Sequence, residues 1–451
     1  MLSGAPLNSP ACLPQFPTIP DDVRRRVERD YERFARNGLP DRLEDYLLHE
    51  YDLDVAAEYA GYAIPNPWGK ASGQLSMTAR QVEDDVRAGL GFVVLKTVIA
   101  QDETGDRSMQ EWAVPESRMV AERIVGQTGE EGWTISWKGR GWWQSFDDYL
   151  QLVRDARRIA EESATLIIPS CKFHLPTPEE STWKVSEYDY TVRRLLEAWS
   201  REACAKPQAA AMPLEKDFSP TLAGSDRAAA KSTILEWLRE VPRLVKAAAG
   251  AGSVRLGLKI FNALFDDDFQ LEMLRAIDEP ALDDPARADF YVYGNRLFDP
   301  RREFEGHTGI AYGGPDLSDR NLRVLSRFRE ECPRRTDCQS ASRRTDFQSV
   351  RQPENAPASL PLSATGNITT GKIAVEYALR GASSFQLHTF FQLPADQYTM
   401  TAGSKTQKAL HELYFHPQTG FVVWLRHVAG KLGLPESPVR LLDVASLVYR
   451  L

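Results

Sequence analysis

Two short apolar runs of this chain each end on a lysine. Residues 91–96 read Gly-Phe-Val-Val-Leu-Lys, and residues 254–259 read Val-Arg-Leu-Gly-Leu-Lys. Such runs predict buried strands, and a lysine at the end of a buried strand is costly unless it meets an anionic or electron-rich partner. In a parallel β/α barrel the carboxyl ends of the strands form the active-site face. The pair therefore favours a ligand with negative charge; the alternative is that both ammonium groups reach solvent.

The composition narrows the class of protein. At 451 residues, with 42% hydrophobic and 26% charged residues, the chain can bury the core of a large α/β domain. Its net charge of −8 argues against a nucleic-acid partner. No apolar run approaches the roughly 18–20 residues of a membrane span, and the first residues lack the pattern of a signal peptide. We therefore expect a cytoplasmic protein with no membrane span.

The five cysteines are scattered and form no Cys-x-x-Cys pair, so we expect no metal site. Cys332 and Cys338 lie in or beside a tandem repeat, in which Arg-Arg-Thr-Asp-Cys-Gln-Ser-Ala at 334–341 recurs as Arg-Arg-Thr-Asp-Phe-Gln-Ser-Val at 343–350. Two polar copies are too few for a solenoid. Residues 332–358 are therefore predicted to be a disordered surface insertion, and a metal or redox pair at the two cysteines is the alternative.

The alternation of strand and helix patterns begins near residue 61, which is typical of βα units in a parallel sheet. We divide the chain into a mostly helical N-terminal extension at 1–60, a β/α barrel at 61–400 and a C-terminal helical segment at 401–451 packed on the barrel. The predicted fold class is α/β, a (β/α)8 TIM barrel with these two additions. The stretch at 206–227 is predicted to be a long loop, either a lid over the site or a plain linker.

Several predicted strand ends follow one another in a recognisable order. They are residues 66–73, 91–96, 133–137, 165–171, 254–259, 290–295, 313–314, 362–368 and 384–389. In this order the chain, over roughly residues 60–400, resembles the flavin-binding barrel of the dihydroorotate dehydrogenase and dihydropyrimidine dehydrogenase family. The resemblance implies an FMN-dependent oxidoreductase of pyrimidine metabolism that acts on a CH–CH bond. It also implies a dihydropyrimidine or a related small cyclic amide as the substrate.

The resemblance further implies which residues hold FMN. Lys96 and Lys259 correspond to two flavin-contacting lysines, and the Lys259 ammonium would stabilise negative charge on the reduced flavin. The loops at 313–314 and 366–367, together with residues 388–389, correspond to the phosphate cradle, where backbone N–H groups hold the phosphate. The full set of expected cofactor contacts is Ala71, Ser72, Gly73, Lys96, Lys259, Asn295, Gly313, Gly314, Gly366, Asn367, His388 and Thr389.

Cys171 is the expected catalytic residue beside Lys259. The family motif is Asn-Leu-Ser-Cys-Pro-Asn, and its cysteine exchanges a proton with the substrate; the corresponding run at 169–174 reads Pro-Ser-Cys-Lys-Phe-His. A thiol suits proton transfer when a cation or a shielded pocket tunes its pKa. The motif's asparagines are missing, and an inert buried thiol is the alternative for this cysteine. The expected substrate contacts are Asn262, Asn295 and His174.

The missing asparagines leave three functions open. The first is the oxidoreductase. The sequence does not identify its electron acceptor, and the resemblance suggests testing whether it forms a homodimer. The second is a catalytically repurposed or inactive barrel that still binds FMN or phosphate. The third is a different (β/α)8 enzyme that uses the phosphate cradle for a phosphorylated substrate.

Overall fold

A computed structural model describes residues 11–113, 118–138, 141–180, 182–200, 211–280, 284, 287–331, 360–434 and 438–446. The insertion predicted at 332–358 lies outside the described residues. Ten strand segments form one parallel sheet. In chain order they are β1 (Trp68–Lys70), β2 (Phe92–Val94), β3 (Val98–Ile99), β4 (Leu166–Ile168), β5 (Ser170–Lys172), β6 (Met212–Asp217), β7 (Val254–Lys259), β8 (Phe290–Tyr293), β9 (Leu362–Thr365) and β10 (Ala382–Leu387).

The strand pairing makes this sheet curl back toward its own start. Neighbours pair in the order β3-β5-β6-β7-β8-β9-β10-β1-β2-β4, and every pairing is parallel. The two ends of that order belong to interrupted strands, because three residues separate β2 from β3 and Pro169 alone separates β4 from β5. The expected α/β class is confirmed at the level of a curled parallel sheet with helices, the general form of a TIM-barrel-like fold.

Twelve α-helices lie among the described residues. They are α1 (Asp21–Asn37), α2 (Leu43–Tyr51), α3 (Ala79–Arg87), α4 (Phe146–Ala160), α5 (Val185–Ser200), α6 (Lys231–Ala249), α7 (Asp267–Asp278), α8 (Pro315–Glu331), α9 (Gly371–Ala378), α10 (Lys405–Phe415), α11 (Phe421–Leu432) and α12 (Leu441–Ser446). None of these described helices has the length and apolarity needed to cross a membrane.

Side-chain caps fix where several of these helices begin. At the start of α3 the Thr78 side chain accepts a hydrogen bond from the backbone N–H of Gln81. The Gln81 side chain in turn accepts one from the backbone N–H of Thr78. Ser145 and Thr370 cap α4 and α9, each accepting from the N–H group three residues later. Each cap contributes roughly 1 kcal/mol, so local sequence sets the ends of the loops that follow the strands.

A hairpin made of Ala57–Tyr59 and Tyr62–Ile64 closes the amino end of the sheet. The Tyr59 ring packs on Phe92 at the start of β2 and on Phe290 at the start of β8, with ring centroids 4.4 Å and 5.1 Å apart. These aromatic rings fill the interior, so the sheet encloses a packed core at this end.

Two further antiparallel hairpins stand at the opposite, carboxyl end. The first rim hairpin pairs Arg118–Val125 with Glu131–Lys138, and the second rim hairpin pairs Leu297–Phe304 with His307–Tyr312. The prediction of a barrel strand at 133–137 was therefore wrong, because that run belongs to the first rim hairpin. Its apolar residues are explained by packing over the end of the sheet.

The stretch predicted to be a loop at 206–227 contains a strand of the main sheet. The described residues there include β6, which pairs along its whole length with β7. The helix α5 precedes it, so this part of the chain is an ordinary βαβ unit. The strand is hard to recognise from sequence because β6 carries Glu215, Lys216 and Asp217, which are unusual in a buried strand.

Candidate functional site

A cleft opens at the carboxyl ends of the parallel strands, between the two rim hairpins. It encloses about 1270 Å³, including its open mouth. Its walls come from the ends of β1, β5, β6 and β7, from the turn between β2 and β3, and from the loops after β8, β9 and β10. This is the face where active sites lie in barrels of this type.

The structure brings all twelve residues expected to contact the cofactor to this cleft. They are Ala71, Ser72, Gly73, Lys96, Lys259, Asn295, Gly313, Gly314, Gly366, Asn367, His388 and Thr389. These residues come from well-separated parts of the chain, so their convergence is a property of the fold. Their contacts with a cofactor remain a prediction.

Three buried lysines and one carboxylate set the charge of the cleft. The Lys172 ammonium lies 3.0 Å from Asp217 Oδ2, and the Asn295 amide donates to Asp217 Oδ1 at 3.4 Å. Burial raises the pKa of Asp217, but the charges of Lys172 and Lys259 outweigh burial and hold that pKa below its usual value. Burial and the charge of Lys172 lower the pKa of Lys96 to about 7. Within the described part of the chain the Lys96 ammonium has no hydrogen-bond acceptor, so the cleft carries excess positive charge.

Below the cleft, Lys259 belongs to a network in which each charge has a partner. Its ammonium donates to Gln386 Oε1 at 3.1 Å and lies 3.5 Å from Glu215 Oε1. Glu215 Oε2 accepts from Gln386 Nε2 at 2.6 Å and from the Tyr59 hydroxyl at 3.2 Å. The network links β6, β7 and β10 to the hairpin at the amino end. It fixes the position of the Lys259 ammonium at the base of the cleft.

His388 lies across the cleft against the first strand. A Cβ atom on Gly73 would come within 2.3 Å of His388 Nε2, so only glycine fits beside this ring. Burial and the neighbouring lysine charges lower the pKa of His388 to about 3, and the ring is neutral at pH 7. Neither ring nitrogen has a hydrogen-bond partner among the described residues.

The two glycine loops differ in how they are packed. Gly366 has φ of +107°, and a Cβ there would lie 2.6 Å from Asn321 Nδ2, so this glycine is required by the protein's own packing. At Gly313 a Cβ would meet its nearest heavy atom, Thr134 Oγ1, at 3.8 Å, an ordinary van der Waals contact, so the protein's own packing does not require glycine there. The Gly313 N–H donates to Thr134 Oγ1 at 2.9 Å, and α8 begins two residues later. This loop therefore joins the first rim hairpin to the start of a long helix.

Cys171 does not line the cleft. Side chains alternate along a strand, and in β5 the neighbour Lys172 points into the cleft while Cys171 is fully buried on the other side of the sheet. Burial raises the pKa of the Cys171 thiol far above its ordinary value. The prediction of proton transfer at Cys171 assumed that a loop began at this residue. Its placement gives that role no support and agrees with the alternative of an inert thiol.

Two expected substrate contacts also lie away from the cleft lining. Asn262 donates to the Asn295 carbonyl and, at 3.3 Å, to Asn321 Oδ1, so it supports the loop that carries Asn295. The His174 ring accepts from the Lys184 N–H at 3.2 Å and lies 3.5 Å from Glu180, within the loop that follows β5. Only Asn295, of the three expected substrate contacts, faces the cleft.

The segment after β6 contributes residues that were not predicted from sequence. Asp217, Ser219 and Pro220 all line the cleft. The alternation of charge at 215–217 could have indicated this strand. In a barrel strand, the carboxylates at 215 and 217 would point inward and the lysine between them outward. Lys172 and Arg296 also line the cleft and were not predicted to do so.

A comparison with solved structures found a similar fold. A crystal structure of DHODH from Eimeria tenella in complex with ferulenol is similar over 97% of this chain and 98% of that chain, with a TM-score of 0.54 and 14% sequence identity. No protein-family model matches the chain, and a search of curated proteins found no match. At this identity the likeness shows a fold of the DHODH type and nothing finer.

Proposed function

We propose that this chain is an FMN-dependent oxidoreductase that acts on a CH–CH bond. The observation that carries the proposal is the cluster of Lys96, Lys172 and Lys259 at the carboxyl end of the curled sheet, with Asp217 as the carboxylate between them. Buried lysines in excess of carboxylates are costly without an anionic ligand. A flavin nucleotide supplies both a phosphate and a ring system that becomes negative when reduced.

The residues present fit such a cofactor. Gly313 lines the cleft two residues before the start of α8, where a phosphate is favoured by the helix N-terminus. Lys259 is held at the base of the cleft by Gln386 and Glu215, so its ammonium needs no rearrangement to meet developing negative charge. His388 and Thr389 would lie at the phosphate end. When bound, FMN would supply the acceptor for the hydride that leaves the substrate carbon.

The proton of the same reaction needs a base in the cleft, and Lys96 is the candidate. Its pKa of about 7 leaves a large neutral fraction at neutral pH. Lys172 and Asp217 would orient the substrate, together with the Asn295 amide. These donors and acceptors suit a small cyclic amide, of which a dihydropyrimidine is one example.

We also infer that the sheet closes into an eight-stranded barrel. If β2 with β3 and β4 with β5 are each counted as one interrupted strand, the pairing order returns to its first member. The interruption between β2 and β3 places Lys96 at the cleft, so the irregular pairing serves the site.

A second candidate function is a barrel that binds FMN without oxidising a substrate. The placement of Cys171 outside the cleft favours it, because the family's proton-transferring cysteine has no counterpart among the residues that line the cleft. The two candidates share the cofactor and differ in chemistry.

Anaerobic titration of the FMN-loaded protein with dihydroorotate and with dihydrouracil separates the two. The first proposal expects one of them, or a related cyclic amide, to bleach the flavin absorbance of the wild type. It also expects Lys96→Met to slow this bleaching by about 10²–10⁴-fold, the usual contribution of a positioned acid or base. A flavin that no member of a panel of such amides reduces would favour the second.

A further inference from the structure

Arg296 is a nearly buried cation whose contacts all come from the first rim hairpin. Its side chain is 8% exposed and lines the cleft directly after Asn295. The guanidinium lies over the Trp137 ring, 4.2 Å from the ring centroid. Its Nη2 atom donates to Thr134 Oγ1 at 2.9 Å and to the carbonyl of Ile135. These contacts hold the guanidinium plane in one orientation.

No carboxylate of the described residues neutralises this guanidinium. None of their aspartate or glutamate oxygens lies within 4 Å of it, and the like charge of Arg302 disfavours its ionised form. Burial and Arg302 lower the pKa of Arg296 to about 9, so the group still carries its charge at pH 7. A buried charge without a counter-charge costs several kcal/mol, which makes it unusual as a purely structural feature.

The guanidinium also has N–H donors that form no hydrogen bond with the described residues. It has five N–H groups, and both described hydrogen bonds come from Nη2. The N–H groups of Nε and Nη1 have no partner in the described part of the chain. Each of these free N–H groups can donate a charge-assisted hydrogen bond to an oxygen of a carboxylate or a phosphate. The Gly313 N–H bonds to the same Thr134 hydroxyl, so these donors lie close to the Gly313 loop.

We propose that Arg296, oriented by Trp137 and Thr134, is an anion-binding site of the cleft whose guanidinium donates charge-assisted hydrogen bonds to a phosphate or a carboxylate. The anion is either the phosphate of the bound flavin nucleotide or a carboxylate of the substrate. This choice of source rests on the proposed function, whereas the site itself does not.

Isothermal titration of the cofactor-free protein with inorganic phosphate at constant ionic strength tests the site. We expect the wild type to bind phosphate and Arg296→Gln to bind it about 10- to 100-fold more weakly, the usual effect of losing a charge-assisted hydrogen bond. Arg302→Gln is the matched control, because it removes a nearby half-buried arginine that pairs with Glu122 instead of facing the cleft. It should bind phosphate like the wild type.

Arg296→Lys is a second variant that tests the site if Arg296→Gln does not fold. It keeps the charge but loses the planar guanidinium that Trp137 and Thr134 orient, and we expect weaker phosphate binding with an unchanged circular dichroism spectrum. If the wild type binds no phosphate, or if folded Arg296→Gln and Arg296→Lys both bind it as well as the wild type, the proposed site is wrong.

Repeating the titration with FMN-loaded protein identifies the source of the anion. If FMN abolishes the Arg296-dependent binding of phosphate, the site belongs to the cofactor phosphate. If the loaded protein still binds phosphate through Arg296, the site serves a carboxylate of the substrate. A chain that takes up no FMN would contradict the proposed function, and the titration of the free protein would still decide the anion site.

Discussion

The base and the mouth of the cleft differ in whether their buried charges are paired. At the base, Lys259 and Glu215 lie together and share Gln386, so each charge is compensated inside the protein. The mouth region consists of Lys96 and Arg296, which line the cleft, are nearly as buried and form no ion pair with a carboxylate of the described residues. We interpret the paired charges as structural and the charges without an ion-pair partner as ligand-binding. The difference also gives each region a distinct response to mutation.

Breaking the compensated network should have the largest effect on stability. Glu215 has no exposed surface, and Glu215→Gln would leave the Lys259 ammonium buried without its counter-charge. We expect a loss of about 3–5 kcal/mol in the free energy of unfolding, measured by urea denaturation. The control Glu240→Gln, which breaks an exposed pair with Arg243, should change it by less than about 1 kcal/mol. Equal effects of the two variants would contradict the assignment of the base as structural.

Removing a charge from the mouth should leave the cofactor-free fold intact. We expect Lys96→Met to raise the free energy of unfolding by about 1–4 kcal/mol at neutral pH, because it replaces a buried ammonium that has no ion-pair partner with an apolar side chain of similar length. The same variant should bind FMN more weakly. If Lys96→Met destabilised the free protein as strongly as Glu215→Gln, the ammonium would be part of the architecture after all.

The pH dependence of stability is a second way to distinguish the mouth from the base. The pKa of Lys96 is about 7 in the folded chain, below the ordinary 10.5, because burial and the charge of Lys172 disfavour the ammonium form. Between these values the unfolded chain binds more protons at this residue, so stability rises with pH. From pH 7 to pH 9 the wild type should gain about 2 kcal/mol relative to Lys96→Met in urea unfolding. Parallel curves for the two proteins would show that the pKa of Lys96 is not lowered.

The weakest response is expected at Cys171. Cys171→Ala removes a buried thiol that faces away from the cleft, and we expect a loss of roughly 1 kcal/mol in stability. FMN affinity and the rate of flavin reduction should stay close to those of the wild type, whereas Lys172→Met at the neighbouring position should impair reduction. Loss of flavin reduction in a folded Cys171→Ala variant would restore the catalytic role that the sequence suggested.

Strand ends that carry a lysine were the part of the site most accessible from sequence. Lys259 is the last residue of β7, and Lys96 lies just after β2, because an apolar run that ends in a charge is typical of a buried strand reaching a polar face. The same logic failed at β6, where inward carboxylates and an outward lysine make a barrel strand look like a loop. It also did not show that Cys171 lies within β5 and outside the cleft lining, since a short sequence does not show where a strand ends or which side a residue faces.

The rim hairpins were not predictable for a different reason. The run at 133–137 has the composition of a strand, and only its partner at 118–125 shows that it lies outside the main sheet. Arg296 was overlooked because an arginine after Asn295 is ordinary in a loop, and its burial depends on Trp137 from a distant part of the chain. Long-range packing of this kind leaves no local pattern.

The visible absorption spectrum of the purified protein, with the cofactor released and quantified, shows whether the uncompensated charges at the mouth of the cleft serve a flavin nucleotide. We predict flavin bands and stoichiometric FMN, either as isolated or after incubation with FMN. We also predict weaker retention of FMN in Lys96→Met than in Cys171→Ala. A folded, colourless protein that takes up no FMN would contradict the assignment of these charges to a flavin nucleotide.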